Sequence, residues 1–267
     1  MGVIAKQSSY AAIALGVGLV LGAANNMAVL PRAFEGKEEI WGLVRIMTSW
    51  GVICAALATL GAPGAIVRFL NRYSDKERDK ALNSILAIAL AGLTLTLGTI
   101  LTFGEYWVTK LDPTNADLLT AHAPWFLAIM AIMSLLHIFR SLLTLALRTG
   151  YVSWIDEVWQ KLSYVSLAVL LFFDAIPLHA FVPMYVATYG VSLVLLGIPN
   201  VRLFQRISAG WNRQDMPQFL EYSGFSLFAG STIIIAMQLD SIMIAKYLGL
   251  EEVPMYTIGF FIGSVVG

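Results

Sequence analysis

The sequence predicts an all-α polytopic membrane bundle: a six-helix N-terminal lobe, the start of a second lobe, and a cytoplasmic N-terminus. Three observations predict it. Of 267 residues, 58 % are hydrophobic and only 13 % charged, where a soluble domain carries about 25 % charged residues. Apolar runs recur at the length of roughly 20 residues that crosses a hydrocarbon core about 30 Å thick. The Lys and Arg residues between those runs collect on alternate connections, as the positive-inside rule requires.

Seven full spans can be placed, near residues 8–31, 41–69, 81–103, 124–146, 162–178, 180–203 and 224–248. The first follows MGVIAK, which has the basic start of a secretory leader. Its apolar run continues through NNMAVLP, so it reads as a membrane helix rather than a cleaved leader. The second span contains LGAPG, where Pro63 removes a backbone donor and predicts a kink or break. An eighth span starts near Val253 and is too short to cross before Gly267, so the chain is expected to be incomplete at that end. The expected organisation is a lobe over 1–207, a cytoplasmic linker over 208–223, and the start of a C-terminal lobe over 224–267.

Arg68, Arg72, Lys76, Arg78 and Lys80 follow span two, Arg148 and Lys161 follow span four, and Arg202, Arg206 and Arg213 follow span six. With Lys6 these make eleven basic residues on one side, against four on the other: Arg32, Lys37, Lys110 and Lys246. This bias places the N-terminus in the cytoplasm.

A short repeat supports two lobes. FEGKEE follows span one and YLGLEE follows span seven, so Gly36, Glu38 and Glu39 match Gly249, Glu251 and Glu252. Six helices fill the interval, so span seven restarts the pattern of span one with the same topology.

Ionisable groups inside spans usually face the protein interior and mark function. Arg45 lies about a turn into span two, His137 and Arg140 share one face of span four, and Asp240 sits in the apolar stretch IIIAMQLDSIMIAKYLG of span seven. Helix direction puts Asn25, Asn26, Arg45 and Asp240 in one outer layer, where an Arg45–Asp240 pair would let each tolerate its depth. Snorkelling of Arg45 and a structural hydrogen bond to Asp240 are the alternatives. Arg140 suits a phosphate, because its planar fork donates two hydrogen bonds at once; a structural interhelical role is its alternative. His137 could relay a proton. Asp156 and Glu157, in SWIDEVWQKL, read as an interfacial segment rather than an acid/base pair.

Other classes are excluded. The formal net charge is zero, which gives no electrostatic case for nucleic acid. Cys54 is the single cysteine, so no internal disulfide forms and no metal site is expected. No nucleophile elbow, P-loop, zinc-protease or dinucleotide motif is present, so no catalytic residue is assigned.

Several stretches resemble the polysaccharide and oligosaccharide flippases of the multidrug/oligosaccharidyl-lipid/polysaccharide exporter superfamily. GLVLGAANNMAVLPRAFEGKEEIWGLVRIMTSWG is similar to the first hairpin, with Glu38, Glu39, Gly42 and Leu43 in the acidic pair and the start of helix two. LATLGAPGAIVRFLNRYSDKER is similar to the glycine-centred exit of helix two. In SIMIAKYLGLEEVPMYTIGFF, preceded by Asp240, the family's acidic residue, glycine and tyrosine correspond to Asp240, Gly249 and Tyr256. Pro254 departs from the family, which often has glycine there.

The resemblance implies a bacterial cytoplasmic-membrane transporter that flips a polyprenyl-pyrophosphate-linked oligosaccharide by rocking two lobes about a cavity. It would need no cofactor beyond a coupling ion, H⁺ or Na⁺, and would work beside a glycan polymerase and glycosyltransferases. Arg140, Arg45, His137, Asn25 and Asn26 are then the cavity residues, with Asp240 and Arg45 as a gate or ion pair. The alternatives are a multidrug or small-molecule cation antiporter of the same fold, and a non-transporting membrane fragment. A membrane glycosyltransferase ranks below these, because the outer connections are short.

Overall fold

The computed structural model describes residues 2–111, 115–204 and 210–266. Arg206, Gly267, the boundary between 207 and 208, and the side chains of Lys76 and Arg202 lie outside the described residues. No strand occurs among the described residues. Helix α1 covers Val3–Ala33. Helix α2 has two pieces, α2a at Glu38–Ala58 and α2b at Ala62–Phe69. Then follow α3 at Asp75–Leu111, α4 at Ala123–Leu145, α5 over 149–172, α6 at Leu178–Phe204, α7 at Met216–Tyr247 and α8 at Val253–Val266. A short helical piece, Ala116–Ala121, precedes α4.

Among the described residues six helices are long and apolar enough to cross a membrane: α1, α2a, α3, α4, α6 and α7. Asp156, Glu157 and Lys161 interrupt the apolar sequence of α5, yet its contacts run it from end to end. At its start, the Gly150 amide donates to Gln7 Oε1 of α1 at 3.0 Å. Past its far end, Asp174 lies 3.7 Å from Lys37 in the α1–α2 turn. At a rise of about 1.5 Å per residue α5 is about 36 Å long, enough to cross. It starts well before the expected span at 162–178, because hydropathy missed its charged first half.

Other contacts sort the connections into the two expected sets. Tyr73 donates to Asp215 at 2.7 Å and Asn83 to the Gly210 carbonyl at 3.1 Å, joining the α2–α3 and α6–α7 connections. At the opposite end, Asn115 donates to the Ala245 carbonyl at 3.3 Å, joining the α3–α4 connection to the end of α7. Lys161 is not in a connection; it sits within α5.

Helix two breaks ahead of Pro63. Leu60 and Gly61 have φ of 46° and 73°, and Pro63 falls in the first turn of α2b, where a missing N–H leaves no bond unmade. A β-carbon on Gly61 would collide with the Ser223 carbonyl of α7, so only glycine combines this backbone with so close a helix. Helix α7 is longer than expected: it begins at Met216, inside the expected linker.

Gly36 and Gly249 both have positive φ, 70° and 115°. Each follows a long helix just before an acidic pair that opens the next helical piece. One apolar core gathers Phe34, Trp41, Leu43 and Phe181 near these turns, and another gathers Ile66, Phe69, Leu82 and Phe219 at the opposite end.

Candidate functional site

Glu38 and Glu39 open α2a, where carboxylates suit the positive end of the helix dipole. Arg45 follows about two turns in. Its Nε is buried without a hydrogen-bond partner. The ion pairs among the described residues are Lys37–Asp174, Arg140–Asp156 and Lys161–Glu157, and Arg45 belongs to none of them.

Three tyrosines from other helices feel this charge. Tyr164 of α5, Tyr189 of α6 and Tyr256 of α8 all lie within its electrostatic reach. One turn beyond Arg45, Thr48 Oγ1 lies 3.0 Å from the Tyr185 hydroxyl, itself 3.1 Å from that of Tyr189. The rings of Tyr164 and Tyr185 meet edge to face at 5.2 Å. Ser49 donates to Gln238 Oε1 of α7 at 2.8 Å. Arg45 is half-buried, and a buried guanidinium N–H without a partner costs free energy that an entering anion would relieve.

Tyr189 is also within reach of Arg140, so the hydroxyl chain leads into a second polar layer. There Arg140 donates from Nε and Nη2 to Asp156 Oδ1 at 3.1 and 2.7 Å. Lys161 donates to Glu157 at 2.7 Å and to the Gly18 carbonyl of α1 at 3.0 Å. Asp156 and Glu157 belong to a π-helical segment, Trp154–Trp159, a feature frequent at functional sites. The segment turns Asp156 toward α4 and Glu157 toward α1. Asp156 and Glu157 thus face into the bundle rather than along an interface, a correction that follows from α5 starting at 149.

The family described as Polysaccharide biosynthesis protein matches residues 31–266. The chain belongs to this family. The family comprises polysaccharide and O-antigen flippases of the exporter superfamily named above, transporters rather than enzymes. No curated protein and no solved structure matches the chain significantly. Family and helices together make it a multi-pass membrane protein of polysaccharide biosynthesis.

In this polysaccharide biosynthesis protein, Arg45, His137, Arg140 and Asp240 fall within the matched stretch, and Asn25 and Asn26 lie just ahead of it. Asp240 does not pair with Arg45; it accepts a hydrogen bond from Tyr256 of α8 at 2.8 Å. The helical wheel gives the reason. Gln238 faces α2, and a residue two positions on is rotated by about 200°, away from α2.

Asn25 opens a π-helical segment of α1, Asn25–Val29. It is 4 % exposed and its Oδ1 has no partner. Asn26 donates to the Gly22 carbonyl at 2.9 Å. His137 lies beside Arg140, and its carbonyl accepts from Ser141 at 2.9 Å. The structure therefore brings His137 and Arg140 together, and places Arg45 in a separate hydroxyl-lined layer.

Tyr256 was marked by the resemblance, whereas Tyr164, Tyr185 and Tyr189 were missed in the sequence. A signal for two was present: Tyr185 and Tyr189, in VPMYVATYG, are one helical turn apart. Asp156 also had a signal, since Arg140 and Asp156 stand equally far from Arg148 at the turn between their helices.

Proposed function

We propose that this protein flips a polyprenyl-pyrophosphate-linked oligosaccharide across the bacterial cytoplasmic membrane, with Arg45 holding the phosphate. The observation that carries this reading is the Arg45 guanidinium, charged, inside the bundle and without a carboxylate. Its fork can donate two parallel hydrogen bonds to phosphate oxygens, and the hydroxyls of Tyr164 and Tyr189 can add donors. Asn25 supplies a further polar group from α1. The lipid tail stays in the bilayer. The end bearing the N-terminus faces the cytoplasm, and the helices before and after the α6–α7 connection rock as two lobes.

Arg140 is the weaker phosphate ligand, because Asp156 already neutralises it. The same pairing argues against a small-molecule cation antiporter, since Asp156 and Glu157 are both held by cations.

The test uses the full chain in proteoliposomes carrying the lipid-linked oligosaccharide, with arrival at the far leaflet read by an impermeant glycosidase. Arg45→Gln should slow arrival at least about tenfold, the lower range for a charge-assisted hydrogen bond. Arg45→Lys should retain part of the activity. Unchanged arrival in Arg45→Gln overturns the assignment.

A further inference from the structure

A groove of about 460 Å³ opens at the end of the bundle that carries the N-terminus, between α1, α5 and α6. Gln7, Tyr10, Arg148, Tyr151, Trp154 and Pro199 line it. All lie near helix ends: the start of α1, the residue before α5, the first turns of α5 and the last turns of α6. In a spanning bundle this is the level of the lipid headgroups, where tyrosine and tryptophan gather.

The groove is preformed. The Gln7 bond to the Gly150 amide fixes α1 against α5, and a β-carbon on Gly150 would stand 2.8 Å from that of Tyr10. Tyr151 fixes α5 against α6 by donating to the Leu195 carbonyl at 2.8 Å. That carbonyl needs an outside donor, because the residue four positions on is Pro199, which has no N–H.

The lining charge is of one sign. Arg148 is exposed and makes no ion pair among the described residues. Lys6 stands 5.9 Å from the ring centre of Tyr10. Among the described residues no carboxylate lines the groove. An occupant must therefore be anionic at one end and apolar along its body.

We propose that this groove is a binding site for an anionic membrane phospholipid, with the headgroup phosphate on Arg148 and an acyl chain along Tyr10, Tyr151 and Trp154. The inference rests on the chain spanning a membrane and is independent of flipping and of Arg45. A bound lipid here would join the ends of α1, α5 and α6.

The full chain is reconstituted in nanodiscs of phosphatidylcholine doped with brominated phosphatidylglycerol or brominated phosphatidylcholine. Fluorescence quenching of Trp154 is read as the difference between wild type and Trp154→Phe. The site predicts that phosphatidylglycerol is preferred about fivefold through Arg148 alone, since one basic residue near an anionic surface contributes about 1 kcal/mol. Arg148→Gln should lose that preference, and Arg148→Lys should keep most of it. Equal quenching by the two lipids, or a preference retained in Arg148→Gln, overturns the proposal. So does displacement by unlabelled polyprenyl phosphate at concentrations where unlabelled phosphatidylglycerol fails, which would assign the groove to the glycan carrier. Arg148→Gln is a surface change, and an unaltered melting temperature checks that its fold is intact.

Discussion

Replacing Arg140 with Met removes a cation and leaves the Asp156 carboxylate facing α4 without a partner. Breaking a buried pair from one side costs about 3–5 kcal/mol, whereas a solvent-exposed pair contributes about 0.2–1 kcal/mol. The Arg140 and Asp156 side chains are 29 % and 27 % exposed, which places the loss between these ranges, about 2–3 kcal/mol. For a chain of this size that lowers the melting temperature by about 4–12 °C. Thermal unfolding of the detergent-purified protein measures it. Asp156→Leu should destabilise similarly, because it strands Arg140. The double variant, Arg140→Met with Asp156→Leu, should recover most of the loss, since an apolar pair can replace an ion pair at little cost. Two results would refute the reasoning: Arg140→Met as stable as wild type, or a double variant no more stable than the worse single one. On this reading Arg140 enters transport by holding α4 to α5, and a drop in export in its variants tracks a drop in folded protein.

Two further predictions follow from local geometry. Gly42→Ala should destabilise by about 1–3 kcal/mol through overpacking, because the new methyl meets the Leu250 carbonyl, whereas a methyl on Gly98 meets no neighbouring helix or side chain within 4 Å; Gly98→Ala should be neutral or stabilising, and paired melting curves compare them. Tyr73, at the α2–α3 connection, has its hydroxyl pushed up to about 12 by burial and by the bond to Asp215. Its folded value is raised, so its contribution is complete below the ordinary tyrosine range near 10 and is lost as pH rises toward 12. Alkaline unfolding of wild type should show that loss, and Tyr73→Phe should lack it.

Helix number and the alternation of connections were legible because apolar runs and loop arginines are one-dimensional signals. The start of α5 was not, because Asp156, Glu157 and Lys161 depress the hydropathy of a segment whose charges are satisfied by Arg140 and Gly18 across the bundle. Pairing across hairpins was half legible. Arg140–Asp156 and Tyr256–Asp240 each join residues 16 apart, centred on the turns at Arg148 and Leu248. Antiparallel neighbours equidistant from their turn share a depth, and by that rule Arg45 is level with Asn26 across the turn at Phe34–Lys37. Depth alone had suggested Arg45 with Asp240. What overrode it was the rotation of α7, which points Gln238 at α2 and turns Asp240 to α8. The break in helix two shows the same limit: LGAPG marked its place, but the contact of Gly61 with Ser223 decided which residue turns.

The role proposed for Arg45 is to hold the anion within the bundle. Binding of polyprenyl pyrophosphate without sugar to the purified full chain tests it most directly, by calorimetry on wild type, Arg45→Gln and the Arg140→Met/Asp156→Leu double variant. Arg45→Gln should weaken binding about 10- to 150-fold, the range for a hydrogen bond to a charged group, while the double variant should stay within about threefold of wild type. Binding unchanged in Arg45→Gln and lost in the double variant would contradict it, and would move the phosphate to the second polar layer.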